Sequence, residues 1–396
     1  MRVLHTVFGV GPTSFGLGQV ALNLAKEQSI LGFDTQIWCL DNPGDIPWAS
    51  ESSGLSENRM VGFPVFGPRM LMLTPHMERA AAGPDGKTFD IVHQHGIWTG
   101  VSRVTNVLRQ KHGLLSVVAP HGALSPWALN LSSWKKKIAL ATYEGRNLNN
   151  ASCLHALSEM EITDFRDFGL KNPIALISNG ISEKWLHAEG SADRFRSQYG
   201  VSEQNRILFF LSRITPKKGL PMLIEAISNL KSDFIGWQLI IAGTDEFGHK
   251  AEVETLIDKF NLQDNISIIG PLYDQAKCDA VAAADLFILP SYSEGAPLVI
   301  LDCLAAGVPI ITTKASPWEE LDTHDCGWWV DVSVHALCNA LRQALPLSRS
   351  QLKEMGLRGK RLVAAKYTWA GKAQKTIELY NWLLGRIDKP DFVVLD

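Results

Sequence analysis

The sequence lacks any arrangement of cysteines that would organise a metal or a disulfide framework. Its six cysteines, Cys39, Cys153, Cys278, Cys303, Cys326 and Cys338, are scattered with no C-x-x-C pair, which argues against a zinc site and a disulfide-stapled fold. Most sit in apolar runs and read as small core residues. No uninterrupted apolar run reaches about 18 residues, so no spanning helix is expected. The opening stretch MRVLHTVFGV begins directly as a strand, without the charged region and cleavage site of a secretory leader. Charge of one sign is also missing: 38 Lys and Arg against 41 Asp and Glu leave a net charge of −3, with no overall attraction for nucleic acid. No D-x-D stands at a strand end and no His/Asp/Glu group has metal-ligand spacing, so neither a metal nor a cofactor is expected. The expectation is a cytoplasmic protein, any membrane contact being peripheral, at the inner face.

What is present is a globular composition, 46% hydrophobic and 20% charged. At 396 residues the chain exceeds one ordinary core, so two domains are expected. Short β-rich runs alternate with amphipathic stretches. In the first half these are RVLHTVFG (2–9), TQIWCL (35–40), DIVHQHG (90–96), LLSVVAPHG (114–122), SCLHALS (152–158) and IALISNG (174–180). The second half restarts the scheme with ILFFLS (207–212), QLIIAG (238–243), ISIIG (266–270), LFILPS (286–291) and PIITT (309–313). Two such series predict two α/β domains of the doubly wound, Rossmann-like kind, each with a parallel sheet, facing a central cleft. The expected boundaries are 1–183 and 184–366, with a C-terminal helix within 367–390 packing back on the first domain. The segment from Asp41 to Lys87, rich in Gly and Pro, reads as an irregular surface excursion.

Ligands of open α/β sheets bind beyond the carboxyl ends of the strands, and several strands here end in polar residues. In SRITPKKG (212–219), Arg213 and Lys218 follow a strand and suit a diphosphate, Arg by its fork and Lys as a point charge. A solvated basic loop is the alternative for these two. In SEGAPLVILDCLAAGVPII (293–311), a helix is expected over 297–306 with Pro297 at its first position. Backbone N–H groups around Ala296–Val299 would then form an anion site. Glu294 precedes that helix and Asp302 lies inside it, eight positions on. Leu298, Val299, Leu301 and Leu304 surround Asp302 with apolar neighbours, and a buried carboxylate needs a partner. Vicinal sugar hydroxyls are one such partner, since a carboxylate accepts two hydrogen bonds at once.

These motifs, together with IIAGTDEFGHKAEVETLI, IIGPLYDQAK, DCGWWVD, GPTSFGLGQVALNLA, HQHGIWTG, PHGALSPWAL and SNGI, resemble the retaining glycosyltransferases of family 4, which have the GT-B fold. The resemblance covers nearly the whole chain and is strongest toward bacterial polysaccharide-building members. It implies a metal-independent enzyme that moves a sugar from a nucleotide-sugar donor to a glycan or lipid-linked glycan, with retention of configuration. By the same resemblance Arg213 and Lys218 match the diphosphate-binding cations. Glu294 matches the acid that contacts the donor sugar, and Asp302 stands where a ribose-binding Glu is usual. The loop containing Gly270 and Leu272 matches the one that reads the base, Gly16 and Gly18 match the first-domain glycine loop, and His121 matches a histidine near the transferred sugar. Pro297 and Leu298 are donor-side candidates through the anion site read above at the helix start. Asp302 is one methylene shorter than the usual Glu, so weakened or repositioned nucleotide binding is expected.

The acceptor side is read from the first half. His93, His95 and His121 all end strands, and His95 and Trp98 are candidates for acceptor contact. Trp98 and Trp127 fit either a sugar-stacking role or an ordinary core. From Val101 to Asn150 seven Lys or Arg face one acid, Glu144. Lys135 and Lys136, within SSWKKKIALATYEGR (132–146), fit a solvated face or docking to an anionic lipid or glycan. Two rival readings remain on sequence alone: a sugar-nucleotide isomerase (epimerase) of similar architecture, which needs no acceptor surface, and a non-catalytic nucleotide-sugar-binding subunit, motivated by Asp302.

Overall fold

A computed structural model describes residues 1–42, 44–64, 66, 74–187 and 189–395. The chain divides into two compact units, Met1–Gly180 with Trp369–Asp396, and Ile181–Thr368.

In the first unit the strands are β1 (Arg2–Val7), β2 (Asp34–Asp41), β3 (Met60–Pro64), β4 (Ile91–His95), β5 (Leu115–Ala119), β6 (Cys153–Ala156) and β7 (Ile174–Leu176). They lie in the order β7-β6-β5-β4-β1-β2-β3, all parallel. The pair Val393–Val394 adds to β7 in the antiparallel sense. Strands buried on both faces explain the near-continuous apolar runs, and β4 is buried at every position. The strand order reverses between β1 and β4, so the loops leaving those two strands meet at the switch point where such sheets bind ligands.

The glycine-rich loop after β1 runs through Pro12–Ser14 into the helix Phe15–Ile30. Gly18 is required there by close approach: a Cβ would stand 2.4 Å from Ser14 Oγ and 2.7 Å from the Gly9 carbonyl. The final helix, Trp369–Leu383, packs on Phe15–Ile30 and buries Ile377, Leu379 and Tyr380. The segment after Asp41 is more regular than its composition implies. It holds a helix at Asp45–Ser53 between two left-handed glycines, Gly44 and Gly54, then edge strand β3, then a helix at Pro75–Ala82. Pro47 is tolerated because it falls in a helical first turn, and Pro64 because it ends an edge strand. Residues 65 and 67–73 of that segment lie outside the described ones.

The second unit carries β8 (Arg206–Leu211), β9 (Trp237–Ala242), β10 (Ile266–Gly270), β11 (Leu286–Leu289), β12 (Ile310–Thr313) and β13 (Gly327–Val330). Their order is β10-β9-β8-β11-β12-β13, again all parallel. The switch point falls between β8 and β11, whose outgoing loops carry Arg213 and Lys218 on one side and Ser291 and Glu294 on the other. Strand β13 lies in DCGWWVD, which carries no strand-like alternation. It pairs because Gly327 lets the chain pass close to β12, where a Cβ would meet the Ile310 carbonyl at 2.2 Å.

Candidate active site

In the second unit the loop after β8 turns through Pro216–Lys218 into Gly219, whose φ of +69° begins the helix Leu220–Ser228. A Cβ at Gly219 would stand 2.0 Å from the Pro290 carbonyl at the end of β11. Glycine therefore brings the two loops into contact, and the Tyr292 N–H donates to the Lys217 carbonyl at 2.8 Å. Lys218 is buried, and its Nζ donates to Glu294 Oε1 at 2.5 Å. Ser291 Oγ donates to the same oxygen at 2.5 Å. Burial pushes the Glu294 carboxyl up, but the charges of Lys218 and Lys217 and the hydrogen bonds from Lys218 and Ser291 outweigh it and hold the group below its ordinary range. The result is a buried, hydrogen-bonded cation–anion pair at the carboxyl end of two parallel strands.

Arg213 is placed differently. Its Nη1 donates to both oxygens of Glu246, at 2.7 and 2.8 Å, while the side chain stays about two-fifths exposed (39%). The helix expected from Pro297 begins at Leu298 and runs to Ala305. Pro297 is its N-cap, with φ −69° and ψ 116°, so the anion-facing turn starts one residue later than Pro297. Asp302 is buried in this helix, and its partner is supplied by the protein. Lys277 Nζ donates to Asp302 Oδ2 at 2.5 Å and stands 4.7 Å from the ring centroid of Trp185. Burial of Asp302 is thus no evidence by itself for a sugar partner. Gly270, with φ +84°, ends β10 and its carbonyl accepts from Gly243 N–H at 2.9 Å; Leu272 is buried just beyond it.

In the first unit Gly16 lies exposed in the opening turn of helix Phe15–Ile30, and Gly18 is buried. His121 follows β5 in the left-handed region, φ +55°, as does Trp98 after β4, φ +68°. Such backbone is uncommon for residues with a Cβ and is concentrated at functional sites. Trp98 joins the two loops: its indole N–H donates to the Ala123 carbonyl at 3.1 Å. Its backbone N–H donates to Glu144 Oε2 at 2.7 Å. Glu144 is fully buried on a π-helical turn, Leu140–Glu144, and burial raises its carboxyl above the ordinary value. Lys136 stands 6.0 Å from the Trp98 ring centroid and donates to the Ala128 carbonyl; burial lowers its ammonium pKa. Lys135 stands 5.6 Å from the ring of Trp134, and Trp127 is half-buried in the short helix Pro126–Asn130.

His95 Nδ1 and His121 Nε2 are 3.3 Å apart, so the structure brings these two candidates together. It adds His5 and His155, which the sequence reading did not include. Among the described residues, His5, His93 and His95 have ring nitrogens within 4.8 Å of one another, all three buried. This is the group with the donor chemistry for a metal, since imidazole suits zinc, copper or nickel, and the lack of metal-ligand spacing along the sequence does not exclude it. The linear spacing concealed it because His5 comes from another strand, opposite His93 in the β1–β4 register. The other residues missed by sequence, Ser291, Lys277, Glu246 and Glu144, are polar partners supplied by neighbouring loops and helices.

Comparison with known proteins agrees with this architecture. Residues 191–361 match the family described as glycosyl transferases group 1, and residues 15–180 match the glycosyl transferase 4-like domain. The D-inositol 3-phosphate glycosyltransferase of Mycolicibacterium smegmatis is 23% identical, over 92% of this chain and 84% of its own length. The GDP-mannose:cellobiosyl-diphosphopolyprenol alpha-mannosyltransferase of Komagataeibacter xylinus is 25% identical, over 98% and 94%. Among solved structures, HepE of Anabaena in complex with UDP and glucose superposes with a TM-score of 0.79, at 18% identity, covering 96% of this chain and all (100%) of that one. Sucrose-phosphate synthase of Thermosynechococcus elongatus gives 0.77 at 19%, covering 98% and 100%. The chain is a glycosyltransferase of the GT-B fold and of the family 4 type. The isomerase and non-catalytic readings are thereby set aside.

Proposed function

We propose that this enzyme transfers a hexose from a nucleotide-sugar donor to a lipid-linked glycan, with retention of configuration, in the building of a surface polysaccharide. The observation that carries the reading is the buried Lys218–Glu294–Ser291 centre at the switch point of the second sheet. In this reading Lys218 and Arg213 neutralise the leaving diphosphate without a metal ion, and Arg213 exchanges Glu246 for phosphate oxygens. Glu294 accepts hydrogen bonds from sugar hydroxyls. Asp302 Oδ1 accepts from the ribose while Lys277 holds Oδ2, and the loop containing Gly270 and Leu272 lies against the base. In the first unit His121 positions the transferred sugar, and His95 and Trp98 belong to the acceptor side. The mannosyltransferase relative, by its name, uses GDP-mannose and a diphosphopolyprenol-linked acceptor, which favours an acceptor of that chemical kind here.

Docking to the membrane surface that presents such an acceptor is part of the same reading. Leu131, Trp134 and Ile138 are more than half exposed beside the run Lys135–Lys137. Apolar side chains flanked by lysines suit an anionic bilayer surface. No helix of the described residues is long and apolar enough to cross a membrane.

The test is a pair of substitutions at the centre. Glu294→Gln keeps the shape and the hydrogen bond from Ser291 but removes the charge, and we expect turnover to fall about a hundredfold or more, in line with loss of one transition-state contact. Lys218→Met should do the same and also weaken the nucleoside diphosphate. Wild-type turnover in either folded variant would overturn the site assignment.

A further inference from the structure

The buried histidines of the first unit form one continuous chain of hydrogen bonds with a single direction. It begins at the Ile177 carbonyl, which can only accept. His155 Nε2 lies 2.7 Å from it and must therefore carry the proton. A neutral imidazole has one N–H, so His155 Nδ1 accepts, and His93 Nε2 donates to it at 3.1 Å. His93 Nδ1 then accepts from the Tyr380 hydroxyl at 2.7 Å. That uses the only proton of the hydroxyl, whose oxygen accepts from the Gln28 amide at 3.4 Å. Gln28 Oε1 accepts from His5 Nε2 at 2.8 Å. His5 Nδ1 accepts from His95 Nε2 at 3.0 Å, and His95 Nδ1 accepts from His121 Nε2 at 3.3 Å.

Each assignment forces the next, and the amide orientation of Gln28 follows from the chain. His5, His93, His95, Gln28 and Tyr380 are at most 1% exposed, and His155 is 3% exposed. Burial keeps the imidazoles neutral, lowering His5 and His155 to about 4 and His121 to about 3, with His93 and His95 well below 6.5.

We propose that this chain is a positioning relay that holds His121 in its Nε2–H tautomer and leaves Nδ1 as an acceptor for a substrate hydroxyl. The inference rests on the assignment of His121 to the sugar made above, and it goes beyond that by naming the proton's place and the residues that set it. Tyr380 and Gln28 act through His121 and are positioning residues. The left-handed backbone of His121 and its bond to His95 fix the ring at both ends. The alternative use of the cluster, a metal ion on His5, His93 and His95, competes with the relay. All six ring nitrogens of those residues already take part in the chain, and a metal would have to break it.

The test is nitrogen-15 spectroscopy of the full chain with labelled histidine, His121 being assigned by the signal lost in His121→Gln. The relay predicts that His5, His93, His95, His121 and His155 are all neutral Nε2–H tautomers in the wild type, with or without one equivalent of zinc. In Tyr380→Phe the donor to His93 disappears and Gln28 is free to turn over. The outer half of the chain can then reverse, so His121 should become a mixture of tautomers, with kcat down about tenfold or more and donor KM within about twofold. The wild-type spectrum stands as a test even if that variant does not fold. An Nδ1–H or cationic His121 in the wild type would overturn the relay. So would stoichiometric zinc binding that shifts these signals, or a single Nε2–H state of His121 in folded Tyr380→Phe. Wild-type turnover in His121→Ala would overturn the role of His121 in transfer, a result read independently of the tautomer.

Discussion

Asp302 has a shorter arm than the glutamate of the family pattern it resembles, and the structure shows what accompanies that difference. Lys277 Nζ reaches Oδ2 at 2.5 Å while resting on the Trp185 ring. A charge-assisted bond of this kind locks the carboxylate in place and puts a cation beside the proposed ribose position. The expectation is that Asp302→Glu keeps turnover and changes nucleotide affinity about three- to tenfold, the scale of one altered hydrogen bond. Lys277→Met should change affinity in the same experiment, because it leaves Asp302 buried without its counter-ion. Nucleotide titrations check both. Unaltered affinity of Asp302→Glu for every nucleotide tested would contradict the ribose assignment.

At this scale the sequence was informative about charge type and poor on partners. Lys218 and Glu294 are 76 positions apart yet meet within hydrogen-bond reach, as strand-end placement implied. Arg213 pairing with Glu246 depends on how two loops fold back, and Asp302 pairing with Lys277 on how the helices Leu298–Ala305 and Asp274–Ala283 meet; residue spacing carries no signal for either.

Among the elements, the central strands β1, β4 and β6 carry both the legible and the hidden parts of the design. Their apolar runs announced parallel strands. Alternate residues of a strand share a side, so His93 and His95 of β4 lie on one face. Adding His5 and His155 to that face required the strand order and register, which only the fold supplies. Helix Trp369–Leu383 then closes the row through Tyr380.

Burial of five imidazoles has a consequence for stability. Desolvation lowers their pKa in the folded state, to about 4 for His5 and His155, while the unfolded chain titrates near the ordinary 6.5. The unfolded state therefore binds more protons below that pH. Their contribution is fully present above about pH 6.5 and is lost as pH falls toward 4, at about 1.4 kcal/mol per pH unit for each proton of difference. Urea midpoints followed from pH 8 down to pH 5 should fall from about 6.5, ahead of ordinary carboxylates. A flat profile between pH 7 and 5 would show that these imidazoles titrate normally.

For the whole molecule, two α/β units and the strands at their switch points were readable from alternation of strand and helix. What was not readable was the short edge material. β3 and β13 are four or five residues long and each contains glycine, so pairing with a neighbour defines them where composition does not. The fold and the family matches make the chain a glycosyltransferase. The claim that remains at this scale is that its second unit is a nucleotide-sugar site built around Lys218 and Glu294. It is tested most directly by presenting UDP-, GDP- and ADP-linked sugars to the purified protein and recording thermal stabilisation together with slow release of nucleoside diphosphate. The account predicts that one donor stabilises the protein and releases its own diphosphate, and that Glu294→Gln removes the release. Stabilisation by none of them, with the protein folded, would contradict it.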